Sequence, residues 1–274
     1  MAKHYGKCAL CGRECELTFE HIPPRAAFNS TPARPVTGME LLIDKTPDGE
    51  ERMPWDTTGL RYRNQQKGMG KYSLCQECNN NTGSWYGDAY VDFARAVHSV
   101  MQNEDFDGYD GIGFKEFYPL RFIKQVLSMF CSINGPDNLA LDPIRQFVLD
   151  KDAVGIDKSK YKICCYFTKS TFMKYAGMSV LLKMGENEME TMAMSEITAY
   201  PLGFILYFDP TDTWKYHGID ITVCADYEYN DMAEAIFPWR IEEMNDMFPE
   251  HFRSQEEIRK CIEDNKKWAE EHGM

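Results

Sequence analysis

The spacing of apolar positions in the first half of the chain predicts one short strand and two helices. Residues 17–22 are typical of a strand, which the prolines at positions 23 and 24 end because proline cannot donate to a β ladder. Apolar side chains recur near every fourth position over residues 79–98, and residues 120–133 are strongly apolar. Both segments predict helices, and the second ends at Asn134, Gly135 and Pro136.

From about residue 140 the pattern changes to short strands separated by Gly, Pro or Asp. The predicted strands cover residues 162–168, 179–184, 190–197, 202–208 and 219–224. A short helix at residues 143–149 precedes them, and an amphipathic helix at residues 253–271 follows. The pattern predicts an α+β fold whose second part is a mixed α/β region with an antiparallel sheet.

These elements divide the chain into three predicted regions. Residues 1–100 form an N-terminal module, residues 101–118 a linker or surface loop, and residues 119–274 an acidic α+β domain of unknown role. Within the first region, residues 29–71 are rich in Pro, Gly, Thr and charged residues and show no sustained periodicity. We therefore expect a long loop there.

Length and composition limit the class of protein. With 274 residues and 43% hydrophobic content, the chain can bury a sizeable core as one large or two modest domains. No stretch approaches 18 uncharged apolar residues, and the N-terminus lacks an apolar signal region. The sequence predicts a soluble, cytoplasmic protein without a membrane partner.

Four of the ten cysteines occur as two Cys-x-x-Cys pairs, Cys8 with Cys11 and Cys75 with Cys78. A two-residue gap lets both sulfurs of a turn face one ion, so the two pairs predict a structural zinc site of four thiolates. Redox use of the pairs is the alternative. The other six cysteines fit reduced thiols, most of them buried as small hydrophobic side chains.

The net charge of −13 is unevenly distributed. Residues 1–125 carry 15 Lys and Arg against 17 Asp and Glu, whereas residues 126–274 carry 15 against 26. The first half keeps a basic run, which consists of Arg61, Arg63, Lys67 and Lys71 together with Arg25. Such a run is typical of phosphate binding, although each of these side chains is equally compatible with a solvated loop.

Candidate catalytic side chains lie beside the cysteine pairs. Glu20 and His21 are adjacent on the predicted strand, and Asn79 directly follows Cys78. Closing the four-cysteine site would bring these three side chains together. An imidazole that titrates near neutrality suits a general base, and carboxylate and amide oxygens suit a divalent cation.

Over roughly residues 5–95 this pattern resembles the HNH endonucleases, which have the ββα-metal fold, and most closely the zinc-stapled branch that includes phage DNA-junction resolvases. The resemblance implies that Glu20 and Asn79 are ligands of a catalytic Mg²⁺ or Mn²⁺ and that His21 is the general base. The chain has Glu where the family more often has Asp. It also implies a ββα-metal zinc module at the N-terminus.

Two functions of different class follow. The first is a metal-dependent endonuclease that hydrolyses DNA phosphodiester bonds, with RNA also open as a substrate, in host defence against phage or in mobile-element processing. The second is a non-catalytic, zinc-stabilised binding or scaffold protein that acts through its acidic C-terminal domain. We expect the C-terminal half to bind a protein partner, a second copy of the chain or an activating ligand.

Overall fold

The computed structural model describes residues 3–43, 46–49, 52–62, 64–103, 110–184 and 189–273. The first half contains β1 (His4–Lys7), β2 (Glu14–His21), α1 (Gly38–Ile43), β3 (Gly70–Cys75), α2 (Gln76–Met101), β4 (Gly111–Phe117) and α3 (Pro119–Asn134). The second half contains α4 (Asp142–Leu149), β5 (Tyr161–Phe167), β6 (Lys174–Met184), β7 (Met189–Ala199), β8 (Leu202–Phe208), β9 (Ile219–Asp220), β10 (Ala233–Pro238) and α5 (Gln255–Glu271).

The strands form antiparallel sheets that pack with the helices in a mixed α/β arrangement. One sheet has the order β1-β2-β3, a second consists of β10 and β4, and the largest has the order β6-β7-β8-β5-β9. The succession of β2, β3 and α2 is compatible with a ββα unit.

The two faces of β2 have different surroundings. Successive side chains of a strand alternate, so Thr18 and Glu20 lie on one face, and Phe19 and His21 on the other. Asn79 of α2 donates to the Thr18 hydroxyl across 2.9 Å, which identifies the first face as the one that α2 covers. We call this the inner face of the three-stranded sheet and the opposite side its outer face.

Helix α3 lies at the centre of the core. All but its two most exposed positions are buried, including the polar residues Lys124, Gln125 and Ser128. The buried face of α2, which includes Tyr90 and Phe93, packs against α3, and Phe204 of the large sheet also contacts Tyr90. One hydrophobic cluster therefore extends from the cysteine-rich N-terminus to the large sheet.

The region expected to be a linker contains a strand. Residues 104–109 lie outside the described part of the chain, but β4 follows and pairs with β10. Phe114 and Phe117 point inward from β4 and contact the ring of Phe93 at 4.3 and 5.5 Å. The glycines and acids around these two aromatic residues concealed the strand in the sequence.

Other predicted elements are confirmed with shifted ends. Strand β8 spans residues 202–208 as predicted, whereas β6 begins at Lys174 rather than at residue 179. The last predicted strand is reduced to Ile219–Asp220 and continues as a 3₁₀ helix, Thr222–Asp226. Among the described residues, no helix is both long enough and apolar enough to span a bilayer.

Candidate metal centre and candidate active site

The four cysteines of the two Cys-x-x-Cys pairs meet at one end of the three-stranded sheet. Their sulfur atoms all lie within 4.8 Å of one another, and the Cys11 and Cys75 sulfurs are 3.9 Å apart. A tetrahedral ion with zinc–sulfur bonds of about 2.3 Å requires sulfur separations of about 3.8 Å. The cluster thus has the size and the donor set that a zinc ion needs.

Each pair is held by a backbone turn. In the first turn, the Gly12 amide donates to the Cys8 carbonyl at 3.0 Å, and Gly12 has a φ of +71°, a conformation that favours glycine. In the second, the Cys75 sulfur accepts from the Cys78 amide at 3.4 Å and so caps the N-terminus of α2. The turn of the second Cys-x-x-Cys pair therefore also forms the start of α2.

The electrostatics of the cluster favour a bound cation. A hydrogen bond between the Cys8 and Cys78 side chains lowers the pKa of the Cys8 thiol and raises that of Cys78. Two neighbouring thiolates repel each other, so the cluster cannot hold all four in their charged form without a positive ion. Arg13 supplies part of that charge, because its Nε lies 3.3 Å from the Cys11 sulfur.

Sequence reasoning did not identify Arg13 as part of this centre. The guanidinium also lies 3.9 Å from the Cys75 sulfur and forms an ion pair with Glu77, which lies between the second pair of cysteines. Arg13 thereby connects the two Cys-x-x-Cys pairs. Its position two residues after Cys11 was the available signal, since hydrogen-bonding groups beside metal ligands help to orient them.

Glu20 is buried on the inner face without a partner. Its side chain is 6% exposed, and among the described residues none forms a hydrogen bond or an ion pair with its carboxyl group. Burial raises the pKa of this carboxyl to about 8. A buried carboxyl group that the protein does not neutralise is a natural ligand for a cation.

A second buried glutamate, in contrast to Glu20, has its charge paired within the protein. Glu196 of β7 is fully buried, and it pairs with Lys174 at 3.0 Å. Its oxygens also accept from the Tyr166 hydroxyl at 2.6 Å and the Glu250 amide at 2.8 Å. These contacts fasten the segment around Glu250 to the large sheet, so this carboxylate has a structural role that Glu20 lacks.

Asn79 lies on the same face as Glu20. Its amide nitrogen donates to the Thr18 hydroxyl at 2.9 Å and approaches the Phe19 carbonyl at 3.4 Å. Thr18 and Glu20 share the inner face of β2, so the first turn of α2 covers the face on which the Glu20 side chain lies. With its nitrogen engaged on β2, Asn79 keeps an amide oxygen as a ligand atom.

His21 is the last residue of β2, and it faces the outer side. Its Nε2 lies 3.0 Å from the Lys67 carbonyl oxygen, which only accepts, so Nε2 carries the hydrogen and the neutral ring has its lone pair at Nδ1. Partial burial lowers the pKa of His21, as do the charges of Arg25 and Lys67, while the bond to the Lys67 carbonyl opposes this effect. The ring is thus biased towards its neutral, basic form.

The four described side chains of the predicted phosphate-binding set do not lie in one place. The charges of Arg25 and Lys67 both act on His21, and both side chains are exposed. The Lys71 ammonium instead donates to the Ile133 carbonyl at the end of α3, at 3.1 Å. Arg63 lies outside the described residues.

Arg61 belongs to the long loop rather than to the surroundings of His21. Hydrogen bonds from Thr37 lower the pKa of Glu40, and the charge of Arg61 adds to this effect, which places the guanidinium near that carboxylate. Arg25 and Lys67 are therefore the two cations of the set that the structure brings to the candidate site.

Comparison with known proteins does not assign the chain to a family. No protein-family model matches the chain, and no curated protein and no solved structure matches it significantly.

Proposed function

We propose that the protein is a metal-dependent endonuclease that hydrolyses phosphodiester bonds in DNA. The observation that carries the proposal is the unpartnered, buried side chain of Glu20, which lies on the same face of β2 as Thr18, the residue to which Asn79 donates. His21, with a free Nδ1 lone pair, follows at the end of the same strand with its ring on the opposite face. One phosphate would therefore have to lie at the end of β2 to meet both the base and the ion. The resemblance of this pattern to the HNH endonucleases agrees with the proposal.

His21 is the general base in this proposal. With its hydrogen held at Nε2 by the Lys67 carbonyl, Nδ1 takes a proton from a water molecule, which then attacks phosphorus opposite the leaving oxygen. The fixed hydrogen bond orients the ring, so the base needs no reorganisation before the proton transfer. Arg25 and Lys67 attract the phosphate that the water attacks.

Glu20 and Asn79 are the residues that would hold the divalent cation, Mg²⁺ or Mn²⁺. Such a cation, when bound, neutralises the charge that develops on the phosphate and the leaving oxygen. The two ligands offer a carboxylate and an amide oxygen, the donor types that these ions prefer. The cysteine tetrad would hold zinc separately, with a structural role at the start of α2.

The test is a nicking assay on circular DNA with added Mg²⁺ or Mn²⁺. We expect His21→Ala to lower the rate by roughly 100-fold or more, the scale on which a general base contributes, without loss of zinc or of helix content. His272→Ala, in the last turn of the terminal helix region, is the matched control and should cleave like the wild type.

Equal cleavage by the wild type and His21→Ala would contradict the proposal. It would favour instead the non-catalytic, zinc-stabilised binding or scaffold protein.

A further inference from the structure

We propose that the outer face of the three-stranded sheet binds unpaired bases of a nucleic acid strand, next to the bond that is cut. This inference specifies the substrate of the proposed endonuclease, and in its choice of substrate it rests on that function. It commits to a single-stranded segment as the occupant of the face.

An aromatic row crosses the outer face. The rings of His4 on β1 and Tyr72 on β3 are stacked, with centroids 3.6 Å apart and planes inclined by 14°. Phe19 of β2 meets Tyr72 edge to face at 5.4 Å, and His21 meets Phe19 edge to face at 5.0 Å. The row thus runs from the sheet edge to the proposed general base.

The row is not part of the hydrophobic core. Tyr72 is 43% exposed, His4 is exposed, and both Phe19 and His21 are partly exposed. Neither described core cluster includes any of these four side chains. A stacked pair of rings keeps an outer ring face on each side, and such faces stack on nucleic acid bases of any sequence.

The charges of the sheet favour this occupant. The three carboxylates of β2, on Glu14, Glu16 and Glu20, alternate with the aromatic side chains and therefore belong to the opposite face. Strands β1 and β3 contain no acidic residue, so none of the described strand positions on the outer face carries a carboxylate. In a protein of net charge −13, an acid-free face is a selective surface for a polyanion.

Two basic side chains lie near the end of the aromatic row at His21. Arg25 and Lys67 act on the His21 ring and are exposed. A strand whose bases stack on Tyr72 and His4 would then place a neighbouring phosphate between these cations and His21. Base-paired DNA keeps its bases stacked inside the duplex, so only an unpaired segment can use the row.

The test compares two ligands that carry the same number of phosphates, a fluorescent oligothymidine and an abasic chain of equal length, by anisotropy without added Mg²⁺. The full-length wild type should bind the oligothymidine about tenfold or more tightly than the abasic chain, the scale of one stacked base. Tyr72→Leu should remove that difference. Its zinc content and melting temperature should match those of the wild type.

Tyr5→Leu is the matched control, because Tyr5 is 71% exposed and pairs with Glu16 on the inner-face side of the sheet. It should bind oligothymidine like the wild type. If Tyr72→Leu fails to fold, His4→Leu carries the same expectation. Equal affinity of the wild type for the two ligands would overturn the inference. An unchanged affinity for oligothymidine in a folded Tyr72→Leu or His4→Leu protein would also overturn it.

The binding test and the nicking assay together separate this inference from the proposed catalysis. A wild-type protein that prefers oligothymidine through Tyr72 but cleaves no nucleic acid would contradict the endonuclease and support base binding. A protein that cleaves through His21 but binds the abasic chain equally well would overturn base binding alone.

Discussion

At the scale of single residues, Glu20 is the feature that most needs an explanation. The fold leaves Glu20 only 6% exposed and gives its carboxyl group no partner among the described residues, whereas Glu196 receives a lysine, a tyrosine and a backbone amide. An uncompensated buried carboxyl group is costly, and proteins retain one where a ligand completes it.

The first prediction replaces this carboxyl group by an amide of the same shape. Glu20→Gln should melt at the wild-type temperature or above it without added divalent ions, because the amide needs no charge compensation. It should also lose the rise in melting temperature that Mg²⁺ or Mn²⁺ gives the wild type, since a ligand of the folded state stabilises it by mass action. Thermal melts at increasing Mg²⁺ measure both effects.

Glu16→Gln, an exposed change on the same face of β2, is the control and should keep the dependence on Mg²⁺. A Glu20→Gln protein that Mg²⁺ stabilises as much as the wild type would show that the cation binds elsewhere.

At the scale of secondary-structure elements, the cysteine tetrad organises the N-terminal part of the fold. It joins the turn before β2 to the first turn of α2, and the cap of that helix is the Cys75 sulfur itself. The free energy of metal binding is therefore also free energy of folding for these elements.

The second prediction tests this coupling. Cys75→Ser removes one sulfur ligand and weakens the cap of α2, so the protein should release about one zinc per chain and lose helix content. Zinc released on denaturation and far-ultraviolet circular dichroism measure the two losses. Cys261→Ser, on α5 and outside the tetrad, should retain both signals.

A wild-type protein that keeps its helix content and melting temperature after complete chelation would contradict the structural role of the metal.

The elements that the sequence predicted are those with a strong local pattern. Strand β8 and helices α2, α3 and α5 carry enough apolar residues at one period to be recognised alone. Strands β1, β3, β4 and β10 are short or rich in glycine and acids, and each is fixed by a partner distant in sequence. Their formation depends on tertiary pairing that no local window contains.

Part of the candidate site can likewise be predicted from the sequence, and part of it depends on tertiary packing. The spacing of the cysteines and the sequence of Glu20, His21 and Asn79 are visible in the chain itself. The hydrogen bond from Lys71 to Ile133 is not, because it depends on the end of α3, more than 60 positions away. The burial of Glu20 likewise follows from packing and not from its neighbours in sequence.

At the scale of the whole molecule, the charge is unfavourable for binding nucleic acid except at one place. The chain carries −13, mostly in its second half, and the described cations that meet at His21 are Arg25 and Lys67. The protein should therefore bind a strand through a few local contacts and not through a basic groove.

The third prediction concerns salt. With two phosphate contacts to a single strand, the logarithm of the association constant should fall with the logarithm of salt concentration at a slope of roughly −1.4. Titrations of oligothymidine binding at several salt concentrations measure this slope. Lys67→Met should reduce it by about 0.7, and Lys71→Met should leave it unchanged, because that ammonium bonds to α3.

A slope several times steeper would mean that further basic residues contact the strand. Arg61 and Arg63 would then return as phosphate ligands.

The tetrad also has a consequence for the alignment of β2 with β3. In a tight hairpin the turn sets the register, but here residues 22–69 separate the two strands, and so long a loop sets none. An ion in the tetrad would help to set it, by joining the turn before β2 to Cys75, which pairs with Leu17; the register then shifts by one residue between Thr18 and Phe19. A slip of one residue would turn Glu20 to the outer face and His21 to the inner face. Loss of a tetrad-bound ion would therefore affect more than stability, because the pairing of β2 with β3 determines which side of the sheet carries acids and which carries rings.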